Sequence, residues 1–187
     1  MTAIDDQLGE AGHKMKRAVE HTREEFTTVR TGRASPAILN RITVEYYGTP
    51  TPINQLASFS VPEPRLLVIQ PFDRNAMSAM EKAIMQSDLG LTPSNDGKVI
   101  RLAFPQLTEE RRKELIKVVK ERAEEGRVAV RNVRRHVKDE LERLEREHLI
   151  SEDDLMRAEK ELQKLTDKHV AEIDEVFGNK EQELLEV

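Results

Sequence analysis

The sequence predicts an α+β protein in which an antiparallel three-helix bundle is interrupted by a small inserted β/α/β domain. Three observations carry this reading. Apolar residues recur at helical spacing along three long segments outside a central window. All eight prolines fall between Pro36 and Pro105, and both tyrosines, Tyr46 and Tyr47, lie in the same window. Inside it, short β-branched and aromatic runs replace the helical pattern. The expected domains are a discontinuous bundle, residues 1–30 with 106–187, and an insert, residues 31–105.

The first segment carries Ile4, Leu8, Ala11, Met15, Ala18, Thr22, Phe26 and Val29, which alternate in steps of three and four and mark one face of a helix. The insert then offers three strands: 42–47, stopping at Gly48; 66–69, between Pro64 and Pro71; and 99–104, ending at Pro105. Between the second and third, Asp73 is placed to cap a helix whose inner face is Met77, Met80 and Ile84 and which ends before Gly90. Those methionines read as core.

The second long helix is expected from Thr108, its N-cap, to about His148, with Glu109 and Glu110 favourably placed in the first turn. Ile116, Val119, Ala123, Val130, Val133, Val137, Leu141 and Leu144 form its stripe. At roughly 1.5 Å per residue it would be about 60 Å long. Gly126 interrupts it. A glycine there is either simply tolerated, at about 1 kcal/mol relative to alanine, or marks the close approach of another backbone.

A third helix opens at Ser151, with Asp154 standing where a capping box has Glu, and carries Leu155, Leu162, Leu165, Ile173 and Val176. Three such stripes cannot each be buried alone, and a bundle buries them together. The linkers, Arg30-Thr31-Gly32 and Pro105-Gln106, would then form a hinge: Gly32 gives backbone freedom and Pro105 stiffens the return strand.

Composition narrows the function. The chain has 187 residues, 35% of them charged and 4% aromatic, with no Trp and no Cys. Disulfides and thiolate zinc sites are excluded. No apolar run approaches the roughly 18 residues of a membrane span, and Met1-Thr2-Ala3-Ile4-Asp5-Asp6 lacks the basic start of a signal peptide. A cytoplasmic protein is expected. His13, His21, His136, His148 and His169 show no metal spacing and read as solvated or bundle-edge residues. Phosphate-binding loops, dinucleotide fingerprints and nucleophile elbows are all missing. Neither an enzyme nor a cofactor or metal site is expected.

With a net charge of −5, any nucleic-acid partner must be held by a local patch. One exists. Residues 127–138 contain Arg127, Arg131, Arg134, Arg135 and Lys138 and no acidic residue. Arg127, Arg131, Arg134 and Lys138 step by four, three and four, so they share a helical face beside the Val130–Val133–Val137 stripe. Arginine suits bidentate phosphate binding. With no aromatic in the run, it would bind RNA backbone and shape rather than stack bases. The competing reading is a solvated face that pairs with acids across the bundle.

Several segments resemble the ribosome recycling factors. Arg30-Thr31-Gly32-Arg33-Ala34-Ser35-Pro36 is similar to the motif after that family's first helix. Val44-Glu45-Tyr46-Tyr47-Gly48-Thr49-Pro50-Thr51-Pro52, Ser87-Asp88-Leu89-Gly90-Leu91, Leu107-Thr108-Glu109-Glu110-Arg111-Arg112-Lys113, the arginine run from Arg127 and Ile150-Ser151-Glu152-Asp153-Asp154 follow in order. The resemblance implies an L-shaped, tRNA-like outline and binding to the large ribosomal subunit and its rRNA across the A and P sites. It also implies joint action with elongation factor G, which hydrolyses the GTP, and a small domain that swings while the bundle holds RNA. Arg112, Arg131 and Arg134 match the family's RNA-contacting arginines, with Arg30 and Arg127 as further candidates. The rival from another class is a coiled-coil adaptor or oligomerisation module. A monomer is expected.

Overall fold

A computed structural model describes residues 2–186. Its elements, in chain order, are α1 (Ala3–Thr27), β1 (Thr43–Tyr46), β2 (Thr49–Pro52), β3 (Ala57–Glu63), β4 (Leu66–Pro71), α2 (Met77–Gln86), β5 (Pro93–Asn95), β6 (Ile100–Ala103), α3 (Glu109–Arg146) and α4 (Glu152–Leu185). They divide into two compact units. One takes the residues up to Arg30 together with Glu109–Glu186, and the other Thr31–Thr108.

In the first unit α1, α3 and α4 each pack on both of the others. Thr2 and Asp5 open α1 with a full capping box: the Thr2 hydroxyl accepts from the Asp5 N–H at 3.2 Å, and the Thr2 N–H donates to the Asp5 carboxylate at 2.9 Å. The buried residues of α1 are Ala11, Met15, Val19, Thr22 and Phe26. Val19 takes the core position expected for Ala18, which is only half-buried. The last turn of α1 holds no basic residue of its own. Arg122 of α3 supplies one, donating to the Glu25 carbonyl at 2.7 Å and the Thr28 hydroxyl at 2.6 Å. A cation there complements the negative end of the helix dipole and adds a second hydrogen bond to a carbonyl that already accepts from the Thr28 N–H.

Gly126 marks a close approach, but of side chains rather than of another backbone. A Cβ at this position would lie 2.2 Å from Thr22 Oγ1 and 3.2 Å from Ile173 Cδ1. α3 nevertheless runs unbroken for 38 residues. It ends in a Schellman motif, with His148 left-handed at φ 55°, the His148 N–H on Glu145 O and the Leu149 N–H on Leu144 O. At the start of α4 the Ser151 hydroxyl accepts from the Asp154 N–H at 3.1 Å and donates to the Asp154 carboxylate at 2.7 Å.

One histidine departs from expectation. His169 lies in the bundle core, 5% exposed, rather than at its edge. Its Nδ1 meets the Leu165 carbonyl at 2.7 Å, and the neighbouring buried Thr166 hydroxyl donates to the Leu162 carbonyl at 2.8 Å. Polar side chains satisfied within their own helix can occupy core positions.

The second unit holds a β1–β2 hairpin and a sheet in the order β3-β4-β6-β5, with every neighbouring pair antiparallel. Leu67, Ile69, Ile100 and Leu102 of the sheet join Met80 and Ile84 of α2 in a fully buried core. Asp73 caps the 3-10 turn Arg74–Ala76 that leads into α2, accepting from the Asn75 N–H at 2.9 Å. The hairpin turns on Tyr47 and Gly48, at φ 47° and 77°. Positive φ at both central residues is what a two-residue type I′ turn demands.

Candidate nucleic-acid interface

The face of α3 beside Val130 and Val137, both buried, carries Arg127, Arg131, Arg134 and Lys138. That much follows from the spacing of the run. What spacing does not reveal is which acids from outside the run reach into it. Arg127 donates from Nε to Asp174 of α4 at 2.7 Å and from a terminal nitrogen to Glu124 at 3.0 Å. The other oxygen of Glu124 takes Arg131 at 3.1 Å. Lys138 is 3.3 Å from Glu159 of α4 and 3.6 Å from Glu142. Arg134 donates to the neutral Gln163 of α4 at 3.0 Å.

These contacts are not equivalent. The Arg127 side chain is 18% exposed, is held from two helices and lies 6.0 Å from the centre of the Phe177 ring. The Arg131 and Lys138 side chains are 47% and 49% exposed. Exposed pairs of that kind are worth about 0.2–1 kcal/mol each, little enough to be exchanged for a phosphate. Hydrogen bonds from Arg127 and then Arg131 hold the Glu124 carboxyl below its ordinary value, and the hydrogen bond to Glu159 holds the Lys138 ammonium above its own. Arg135 is exposed and makes no hydrogen bond or ion pair among the described residues. The most available guanidinium groups are therefore those of Arg135, Arg131 and Arg134, in an environment of mixed charge.

The remaining candidates lie elsewhere. Arg112 sits on the same helix about 22 Å before Arg127, at roughly 1.5 Å per residue, half-buried, with its Nε enclosed and without a hydrogen-bond partner. Arg30 closes the first run of the bundle unit. Of the expected hinge residues, Thr31 is 6% exposed and its hydroxyl accepts from the Arg33 N–H, while Gly32 is left-handed at φ 76°. Pro105 and Gln106 lie exposed in the stretch 104–108, which forms no regular secondary structure. Glu124, Asp174 and Gln163 were not candidates from sequence; only the antiparallel pairing of α3 with α4 brings the last two to the arginines. Among the described residues no group of His, Asp and Glu could hold a metal ion, and no helix is long and apolar enough to cross a membrane.

The comparisons with known proteins point one way. The family model described as "Ribosome recycling factor" matches residues 22–185. Ribosome-recycling factors of Acidothermus cellulolyticus and Heliobacterium modesticaldum are each 58% identical over 184 residues, covering 98% of this chain and 100% of theirs. The solution structure of a ribosome recycling factor superposes with a TM-score of 0.79 at 47% identity, covering both chains fully. A second structure, of the T. thermophilus factor with E. coli elongation factor G on the E. coli post-termination complex, aligns at TM-score 0.68 and 48% identity over 99% of this chain and 100% of that one.

Proposed function

The chain belongs to the ribosome recycling factor family, and from that premise we propose that it binds the large ribosomal subunit after termination and, with elongation factor G and GTP, splits the post-termination complex. It hydrolyses nothing itself; the translocase splits the GTP. It works in the cytoplasm as a monomer. The α3 face holds rRNA backbone through Arg131, Arg134 and Arg135, with Lys138 at its end and Arg112 and Arg30 as outlying contacts. The stretches Arg30-Thr31-Gly32 and Pro105-Gln106 act as the hinge on which the inserted unit moves.

Besides family membership, one observation supports this assignment: a row of guanidinium groups on one rigid helix whose existing partners are weak enough to exchange. The test is subunit splitting on post-termination ribosomes, with and without elongation factor G and GTP. Splitting should require both. Arg134→Ala should weaken large-subunit binding by about 1–3 kcal/mol, the range for a charge-assisted hydrogen bond, and flatten the salt dependence by about one phosphate contact. Arginine variants that bind like wild type at every salt concentration would leave this face a merely solvated one.

A further inference from the structure

We propose that Arg127 is a positioning residue and not an RNA ligand: it closes a chain from Asp174 of α4 through Glu124 to Arg131 that fixes where the Arg131 guanidinium points. The proposal rests on the RNA-binding role assigned above to the α3 face. Each link is a separate contact. Arg127 Nε donates to Asp174 Oδ1 at 2.7 Å, one terminal nitrogen donates to Glu124 Oε2 at 3.0 Å, and Glu124 Oε1 is left to hold Arg131 at 3.1 Å.

Arg127 has two acids and little exposed surface, and with Nε and one terminal nitrogen engaged a phosphate could grip it bidentately only by displacing a partner. Arg131 has one acid and nearly half its side chain in solvent. The planar fork of arginine suits the clamp, because it addresses two carboxylates in fixed directions, which a lysine cannot do. Glu124 then has an identifiable role at the end of a basic face. With both of its oxygens engaged, it draws Arg131 back along the ridge and restricts its rotamers before any RNA arrives.

The test separates a ligand from a positioner by salt. Loss of a direct phosphate contact lowers the slope of log affinity against log salt by about 1; loss of a positioner lowers affinity and leaves the slope alone. Two variants approach the clamp from opposite helices. Arg127→Met keeps an apolar stem near Phe177, and Asp174→Ala removes no cation. Helicity by circular dichroism confirms that each bundle is folded, and binding to purified large ribosomal subunits is measured over a salt series. Both variants should bind about 2- to 10-fold more weakly, the range for one hydrogen bond's net worth, with wild-type slope. Arg131→Ala should lower the slope, and adding Arg127→Met to it should cost nothing more.

A slope lowered by Arg127→Met would make Arg127 a phosphate ligand and overturn the proposal. So would tighter binding by Asp174→Ala, the result expected if Asp174 merely withholds Arg127 from RNA, or wild-type affinity in both variants. If Arg131→Ala and Arg134→Ala also bind normally, the RNA face itself is wrong, and the positioning role falls with it for that separate reason.

Discussion

At Gly126 the bundle has no room for a methyl group, because the Thr22 hydroxyl stands where a Cβ would go. Thr22 is itself fixed there, buried and bonded from Oγ1 to the Ala18 carbonyl at 3.0 Å. Two effects then oppose each other in Gly126→Ala. Helix propensity gains about 1 kcal/mol, and overpacking costs about 1–3 kcal/mol. A 2.2 Å approach to a tethered atom lies far inside van der Waals contact, so overpacking wins and the variant should unfold at lower urea concentration than wild type. In a Thr22→Ala background the 2.2 Å clash is removed and only the 3.2 Å contact with the flexible end of Ile173 stays tight, so Gly126→Ala should cost much less than in wild type. Equal costs in the two backgrounds would show that Thr22 is not what keeps this position glycine. From sequence, this glycine had two readings, and nothing within α3 could choose between them, since the deciding residue sits about a hundred positions earlier. Val19 was hidden for a different reason. Steps of three and four from Met15 to Thr22 pass through Ala18 or Val19 equally well, and only the packed partners decide which turns inward.

Among elements, the long helices were legible and half of the strands were not. The stripes, the Ser151 cap and the helix beginning after Asp73 all follow local rules. β2 (Thr-Pro-Thr-Pro), β3 (which contains Pro62) and β5 (which begins at Pro93) do not resemble strands. The topology explains them: each pairs on one side only, where proline's missing donor costs no ladder bond. The loop between β5 and β6 shows how a short edge strand is held. The Asp96 carboxylate accepts from the Lys98 N–H at 2.9 Å, the Val99 N–H at 3.0 Å and Arg101 at 2.7 Å. Bonds to the charged form, led by that from the Val99 backbone, pull its pKa far below the ordinary 3.8. A carboxyl depressed in the folded state contributes stability that is complete above its unfolded value and is lost as pH falls toward the folded one. Asp96→Asn should therefore lower the unfolding temperature of the small unit at neutral pH by an amount that holds constant down to about pH 4 and shrinks below it. A difference that stays the same to about pH 2.5 would mean that the carboxylate charge contributes nothing to the loop.

On the scale of the whole molecule, the candidate interface was half legible. The run of arginines is a local pattern, but Asp174, Glu159 and Gln163 meet it only because α4 returns antiparallel to α3. Charge read along the sequence therefore leaves open how bare the face is. The same packing makes a stronger claim about autonomy. α1 is joined to α3 only through the inserted unit, yet it packs on both α3 and α4 and buries Met15, Val19 and Phe26 between them. If the bundle is a domain in its own right, the insert can be replaced without loss of that core. A chain in which residues 31–108 give way to a flexible Gly/Ser linker should fold as a helical monomer. The linker can be generous, because each doubling of loop length costs only about 0.6 kcal/mol. Residues 109–186 alone should not fold as a monomer, since the stripes that α1 covers would face water. The linked bundle retains every proposed RNA contact, so it should bind large subunits with the affinity and salt slope of the full chain. It should fail to split post-termination ribosomes in the presence of elongation factor G and GTP, because the part proposed to move is gone. Circular dichroism and sedimentation check the fold, co-sedimentation with large subunits checks binding, and the splitting assay checks function. An unfolded linked bundle would show that the two units stabilise each other, and a linked bundle that splits ribosomes at full rate would remove the inserted unit from the mechanism.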